Sequence, residues 1–333
     1  MVRFARAALP ALICFAFAAH AQNAAQVDCA KKEGEVMVYH STQLEDLKPV
    51  FDAFTKKYGV KVTDWRSSSE NVVQRTISEA RANKNTADLI ENNAPEQEAL
   101  RREKLLKKMD SPHFADMRPG TLPAHREYAT STMDVFVQGY NTDKVKKEEV
   151  PKTFEELANP RWKERLGIEA EDHAWFGTLL GLVGEAKGEK LWRDIVAANG
   201  MSVRKGHTLL ATLVASGEVP MGLTVYNYKP PQLKKKGAPI DWVVLQPAIA
   251  QMHAVAVHAK APHPNAAALL YDFFLGEGQA LLAERDFVPS SSKVPSPFGD
   301  MPIKGIDPGQ AIDNEDAWQK RYQDIFVKRG QGK

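Results

Sequence analysis

Four short stretches of this 333-residue sequence concentrate side chains able to hold a small charged molecule. Tyr226-Asn227-Tyr228 offers two phenols and an amide directly after an apolar run. Both phenols can reach a cation, or they can hydrogen-bond an organic anion. Glu171-Asp172-His173-Ala174-Trp175-Phe176 gathers acids, an imidazole and two aromatic rings. Carboxylate and imidazole are metal-ligating groups, and Trp175 can form an apolar wall. Asp172 can equally serve as a helix cap, with Trp175 in the core. Arg66-Ser67-Ser68-Ser69-Glu70 is the third stretch. Serine hydroxyls and the free N–H groups of a helix start suit a carboxylate, phosphate or carbonate, and Arg66 adds charge. One serine is enough to cap a helix; three in a row exceed that need. The fourth is His40-Ser41-Thr42, where Thr42 can bind a ligand or cap the helix that follows. Asn93 is a further ligand-binding candidate. On the cation reading the metal-ligating candidates are His40, Glu70, Asp172, Tyr226 and Tyr228.

These stretches fall where the pattern changes from strand to helix. Residues 35–39 and 60–64 alternate as short strands, and 87–91 reads as a third. Between them, Leu44, Leu47, Val50, Phe51, Phe54 and Tyr58 recur at helical spacing, as do Val72, Val73, Thr76, Ile77 and Ala80. Thr42 with Glu45 and Asn93 with Glu96 have capping-box spacing, and Pro49 implies a kink or a later helix start. The β-α-β-α-β order predicts a largely parallel sheet covered by helices. Residues 133–140 read as a strand leaving this first unit. Helices are expected over 174–183, 189–198 and 208–215, and strands over 201–204, 219–225 and 241–245. A buried strand is expected over 253–258, an apolar helix from Asn265 to Leu275, another over 277–284, and an amphipathic helix over 313–328. Loops and helix N-termini then collect at one edge of each sheet, where α/β proteins bind ligands.

The N-terminus sets the compartment. Arg3 and Arg6 precede an apolar run from Ala7 to Ala19, and Ala19-His20-Ala21 is a small-x-small cleavage site. That order is a secretory signal, and the apolar run is too short to span a bilayer. Cys14 lacks the small residues that precede a lipid-modified cysteine. Cleavage near Ala21 takes away two of the 44 basic residues and none of the 42 acidic ones, leaving 42 of each. A neutral mature chain lacks the positive field of a nucleic-acid binder or a polybasic membrane contact. Cys29 remains as a lone thiol near a loose terminus, so no disulfide, zinc or redox pair can form within the chain. The 312 residues left (333 less 21) exceed one ordinary core, so two lobes are expected.

Several segments together resemble the family-1 extracellular solute-binding proteins, especially the ferric-iron-type branch of periplasmic binding proteins. They are 35–39, 151–163 (PKTFEELANPRWK), 215–223 (ASGEVPMGL), and 261–267 (APHPNAA) followed by Tyr271-Asp-Phe-Phe-Leu275, in family order over roughly 32–290. The resemblance implies a type II periplasmic-binding-protein fold: two α/β lobes with a hinge that the chain crosses twice, and ligand in the cleft between them. Lobe 1 would comprise 32–133 plus 248–290 and lobe 2 134–247, with 291–333 packing back on the body. It implies a monomer in the periplasm that delivers its ligand to an ABC permease and ATPase of the inner membrane. No resident cofactor is expected; ferric iron would be cargo. The iron-type branch carries two adjacent tyrosines just after the Gly-Leu strand. Counting from Gly222-Leu223, Asn227 stands at the first position and Tyr228 at the second, with Tyr226 just before. The ligand therefore stays divided between ferric iron or another oxygen-loving cation, with a synergistic anion on Ser67–Ser69, and a small organic anion such as a carboxylate or phosphonate.

An exported hydrolase is the alternative of another class. The sequence holds no G-x-S-x-G, H-E-x-x-H, P-loop or G-x-G-x-x-G motif to support it.

Overall fold

The computed structural model describes the backbone of residues 14–328 and the side chains from residue 24 onward. Lobe 1 opens with helix α1 (Cys14–Glu33), followed by β1 (Glu35–His40), α2 (Leu44–Tyr58), β2 (Lys61–Arg66), α3 (Ser69–Arg81), β3 (Leu89–Asn93) and α4 (Ala94–Arg102). Strand β4 (Ala129–Asn141) leads into lobe 2: β5 (Leu166–Glu169), α5 (His173–Val183), α6 (Glu185–Asn199), β6 (Ser202–Arg204), α7 (His207–Ser216), β7 (Met221–Tyr226), α8 (Lys229–Lys235) and β8 (Ile240–Val243). The chain returns through β9 (Ala248–Val257), α9 (Pro264–Leu275), α10 (Gly278–Glu284), β10 (Val288–Pro289) and β11 (Ile303–Gly305). Helices α11 (Pro308–Asp313) and α12 (Glu315–Tyr322) close it.

The expected leader lies outside the described residues up to position 13, and the expected cleavage point after Ala21 falls within α1. Beyond it the terminus is not loose. Ala30 is fully buried, and the Glu33 carboxylate accepts the backbone N–H groups of Asn265 and Ala266 at the start of α9. A carboxylate there satisfies orphan donors and complements the helix dipole. Cys29 is a free, exposed thiol on this docked helix. No helix of the described residues is long and apolar enough to cross a membrane.

The parallel β2-β1-β3 ladder predicted from the alternating pattern is present, and β9 joins β3 antiparallel. Strand β4 ties the lobes together. Its first half pairs with β9 through Val135–Ala250, and its second half pairs with β7 from Phe136–Tyr226 onward and with β8. In lobe 2, β5 lies parallel to both β7 and β6. Lobe 1 packs Leu47, Phe51 and Phe54 of α2 against Phe273 and Phe274 of α9. Lobe 2 centres on Trp175 and Trp192, whose rings lie 5.7 Å apart, with Phe154 and Phe176 around them.

Two expectations need correction. The chain crosses between lobes three times, not twice: after β4 and the β8–β9 connection, the C-terminal segment crosses again at Asn314. Before it, Asp313 pairs with Arg102 of α4 at 2.6 Å; beyond it, α12 packs on α5. The helix expected over 313–328 is present as α12 continued by a π-helical turn, Gln323–Val327, and the crossing at Asn314 separates it from α11. That turn lets Phe326 pack edge-on against Phe176 and Trp192. Capping also differs. Neither Gln43 nor Asn93, the residues before α2 and α4, makes a side-chain cap, and Thr42 turns to Glu91 instead.

The α5–α12 contact depends on a missing side chain. A Cβ at Gly177 would lie 2.2 Å from Cδ2 of Trp318. Gly177→Ala should therefore push α12 off lobe 2, with a loss of about 1–3 kcal/mol from overpacking and a shift in Trp318 emission. An unchanged denaturation midpoint and emission spectrum would contradict this packing.

Candidate functional site

The carboxyl ends of β1, β2 and β3 feed α2, α3 and α4 on one wall, and those of β5, β6 and β7 feed α5, α7 and α8 on the other. Between them lies a cleft of about 650 Å³. The size suits a small ligand. Of the sequence-predicted residues, Ser41, Thr42, Arg66, Ser68, Ser69, Glu70, Asn93, Asp172, His173, Trp175, Tyr226 and Tyr228 line it.

Three candidates stand elsewhere. His40 is fully buried behind the wall, with Nδ1 against the Thr42 carbonyl at 2.9 Å and Nε2 against Asp64 at 3.1 Å. Both ring nitrogens are turned to partners behind the wall, so neither faces the cleft. The Ser67 hydroxyl accepts from the Asn71 side chain, off the cleft wall. Asn227 is a clamp: Oδ1 accepts the Val135 N–H at 2.8 Å, and Nδ2 donates to the Asp286 carbonyl at 3.0 Å. It therefore fastens α8's approach to the crossing strand β4. Ser68 does cap α3, accepting from the Asn71 N–H, which leaves Ser69 as the second hydroxyl on that wall. Trp175 is only 2 % exposed, a core residue with one edge on the cleft.

The two tyrosines sit on the cleft floor with ring centroids 6.0 Å apart, Tyr226 over His207 at 3.9 Å and Tyr228 over Phe287 at 4.1 Å. Burial pushes both phenols well above their usual range, and nearby acids add to it: Asp172 and Asp134 for Tyr226, Asp134 and Asp46 for Tyr228. Burial likewise raises the Asp172 carboxyl to about 7, and raises Glu96, with Glu70 close by, to about 7. One oxygen of each, Asp172 Oδ2 and Glu96 Oε2, is enclosed without a hydrogen-bond partner.

Behind the floor, His253 lies between Glu91 (2.8 Å) and Asp134 (3.6 Å). Burial by itself disfavours the imidazolium, but Glu91 and Asp134, with a smaller pull from Glu96, outweigh it and push His253 up to about 9. Burial alone would raise Glu91; His253, together with the Thr42 hydroxyl, holds it below the usual carboxylate range. Asp134 is pushed up to about 6 by burial.

His207, Glu169, His253, Glu96 and Lys205 line the cleft without having been singled out from sequence. His207 and Lys205 had a signal: they follow β6 directly, the same strand-to-helix edge that marks the other stretches. In the sequence Glu96 has only the spacing of a cap partner, and His253 only the pattern of a buried strand.

With this geometry in place, comparison with known proteins shows the family. The model of the bacterial extracellular solute-binding protein family matches residues 84–304. The chain belongs to that family. It is 27% identical over 227 residues to a protein named Fe(3+)-binding periplasmic protein from Serratia marcescens; the match spans 67% of this chain and 64% of the relative. In fold it is similar to iron-bound HitA from Pseudomonas aeruginosa, at 19% identity and TM-score 0.75, over 87% of this chain and 99% of that one. It is also similar to AfuA from Actinobacillus pleuropneumoniae, solved with fructose-6-phosphate, at 21% identity and TM-score 0.76, over 89% and 99%. These likenesses establish the two-lobed periplasmic-binding-protein fold.

Two predictions follow from the geometry of the floor. Asn227→Ala leaves a buried N–H and a carbonyl unpaired, and should cost about 1–3 kcal/mol of stability; a change below about 0.5 kcal/mol in denaturant unfolding would show that the clamp is not needed. The second concerns pH. Glu96 and Asp172, raised to about 7, bind more protons folded than unfolded, so their stability contribution fades as pH rises from about 4.5 to 7. His253, raised to about 9, contributes fully below about 6.5 and loses that contribution on the way to 9. The metal-free protein should therefore melt highest near pH 5 and lower steadily toward pH 9. Glu96→Gln should flatten the lower part of the profile. A melting temperature that rises from pH 6.5 to 9 would contradict the assignment.

Proposed function

We propose that the chain is the periplasmic capture component of an ABC importer and that its cargo is a hard cation, ferric iron first. The observation that carries the cation reading is the charge of the cleft. Glu70, Glu96, Glu169, Glu171, Asp172 and Glu315 line it, against Arg66, Lys205 and the His253 imidazolium, which Glu91 and Asp134 already hold. Lys205 is already paired with Glu171 at 2.6 Å. Such a site repels a carboxylate or phosphate over most of its surface and gains electrostatic energy from a bound cation. Oxygen donors, phenol and carboxylate, suit a hard ion. The name of the Serratia relative supports iron among such ions.

In this reading the protein is exported, loses its leader near Ala21, and works as a monomer. The cleft closes on its cargo, and the loaded form docks on a permease and ATPase pair of the inner membrane. Its work is reversible capture, with no bond of the cargo made or broken other than coordination. The second reading, a small organic anion, is favoured by one patch: Ser68, Ser69 and Arg66 at the start of α3. On the cation reading the same patch holds a synergistic anion.

The test is direct. Phenolate bound to ferric iron gives a visible ligand-to-metal charge-transfer band. Protein treated with ferric citrate and desalted should be coloured and hold one iron per chain, and Tyr228→Phe should lose most of both. Both phenols are protonated without metal, so binding must release protons and weaken as pH falls from 8 to 6. Colourless protein without iron, stabilised instead by a phosphate ester or phosphonate, would replace the cation reading with the anion one.

A further inference from the structure

Glu169, Asp172 and His207 form the one group of three carboxylate or imidazole residues among the described residues whose donor atoms all lie within 4.8 Å of one another. Resting on the cation reading above, we propose that Asp172 and His207, with Glu169 as third donor, join the lobe 2 tyrosines in the cargo's coordination sphere. The bound ion would then be a first-row transition-metal ion held by mixed nitrogen and oxygen donors.

The first argument is the orientation of His207. Its Nδ1 lies 3.0 Å from the Thr224 carbonyl, which can only accept, so Nδ1 carries the proton. Nε2 is the nitrogen turned to Asp172, 3.4 Å from Oδ1, and is the one placed to meet an ion. Metal-bound histidines are held this way, the far N–H fixed by a backbone carbonyl and the near nitrogen free for the ion. Two donors about 2.1 Å from one ion, at tetrahedral or octahedral angles, lie roughly 3.0–3.4 Å apart. The Nε2–Oδ1 separation fits that spacing.

The second argument is the unpartnered oxygen. Asp172 is only 7 % exposed, lines the cleft, and its Oδ2 has no hydrogen-bond partner. A buried carboxylate oxygen without a donor is costly unless something occupies the site. Its own helix, α5, offers no cap bond to it. Glu169 completes the arc. Its oxygens accept the N–H groups of Gly206 and Glu171 at 2.8 and 2.5 Å, which fixes the carboxylate while leaving lone pairs free. The Tyr226 ring, 3.9 Å from that of His207 and tilted 32° to it, restrains the imidazole. His173, one residue further along, lines the cleft but belongs to no such donor group.

The chemistry narrows the ion. An imidazole nitrogen is a poor ligand for calcium or magnesium, which prefer all-oxygen sites, and a good one for iron, zinc or copper. Wild type should therefore retain ferric iron and not calcium after desalting. Asp172→Asn and His207→Gln should each weaken ferric binding by at least about tenfold, a loss that outer-sphere partners alone can cause. Pulsed electron paramagnetic resonance on iron-loaded wild type should show a coupled imidazole nitrogen, absent in His207→Gln. Wild type that holds iron with no coupled nitrogen, or variants that hold it as tightly, would overturn this assignment and leave the capture of a cation standing. Wild type that holds no metal would overturn both. Should a variant fail to fold, the nitrogen signal of the wild type still decides.

Discussion

Acidic side chains gathered with too few basic partners are the constraint around which this structure is organised. Asp172 and Asp134 are buried, Glu96 is half-buried on the cleft wall, and burial pushes each toward its protonated form. The Glu91 and Asp134 cluster has its counter-charge built in: His253, a buried imidazolium, neutralises part of it. The Glu169–Asp172 pair has only His207 beside it, and one nitrogen of that ring already serves the Thr224 carbonyl. A folded protein tolerates such an arrangement when an ion completes it in the working state. The cleft thus gathers more acid than base, and on the cation reading proposed above a bound ion would balance it.

The fold exists to bring the two halves of that site face to face. Strand β4 belongs to both sheets, so Asp134 on its lobe 1 half and Phe136 on its lobe 2 half hold a fixed relation across the crossing. Asn227 locks the turn after β7 onto that strand. On the far side of Tyr228, fully buried Asp46 of α2 accepts from Lys229 and Gln232 of α8 and from Arg285. Lys229 also lies 4.8 Å from the centre of the Tyr228 ring. One of the two phenols is therefore seated next to an interlobe ion pair, and a change of charge at that phenol is felt by the contact that relates the lobes. The C-terminal crossing at Asn314 adds a third tie at the mouth, where Glu315 and Gln319 line the cleft.

Much of this was legible from residues alone. Helix and strand periods placed the parallel β2-β1-β3 ladder and the positions of α5, α7 and β9, because those elements obey local patterning. The edge rule found most of the cleft, since strand-to-helix junctions face it in both lobes. What escaped had non-local causes. His40 satisfies the same rule as Thr42, yet its ring turns inward because Asp64 on the neighbouring strand accepts it. Asn227 looked like a replaced ligand; its partners, Val135 and Asp286, are 92 and 59 residues away. The third crossing could not be read from an amphipathic pattern, which shows that 313–328 is helical and not which lobe each turn packs on. His207 was missed because a single histidine after a three-residue strand carries little signal without Asp172 opposite it.

The account rests on a cation completing the cleft. Native mass spectrometry of protein isolated from the periplasm without added ligand, with elemental analysis of the same sample, tests that most directly. A mass increment of one iron per chain, lost on mild acidification, is the expected result. A bound phosphate ester or carboxylate with no metal would contradict it.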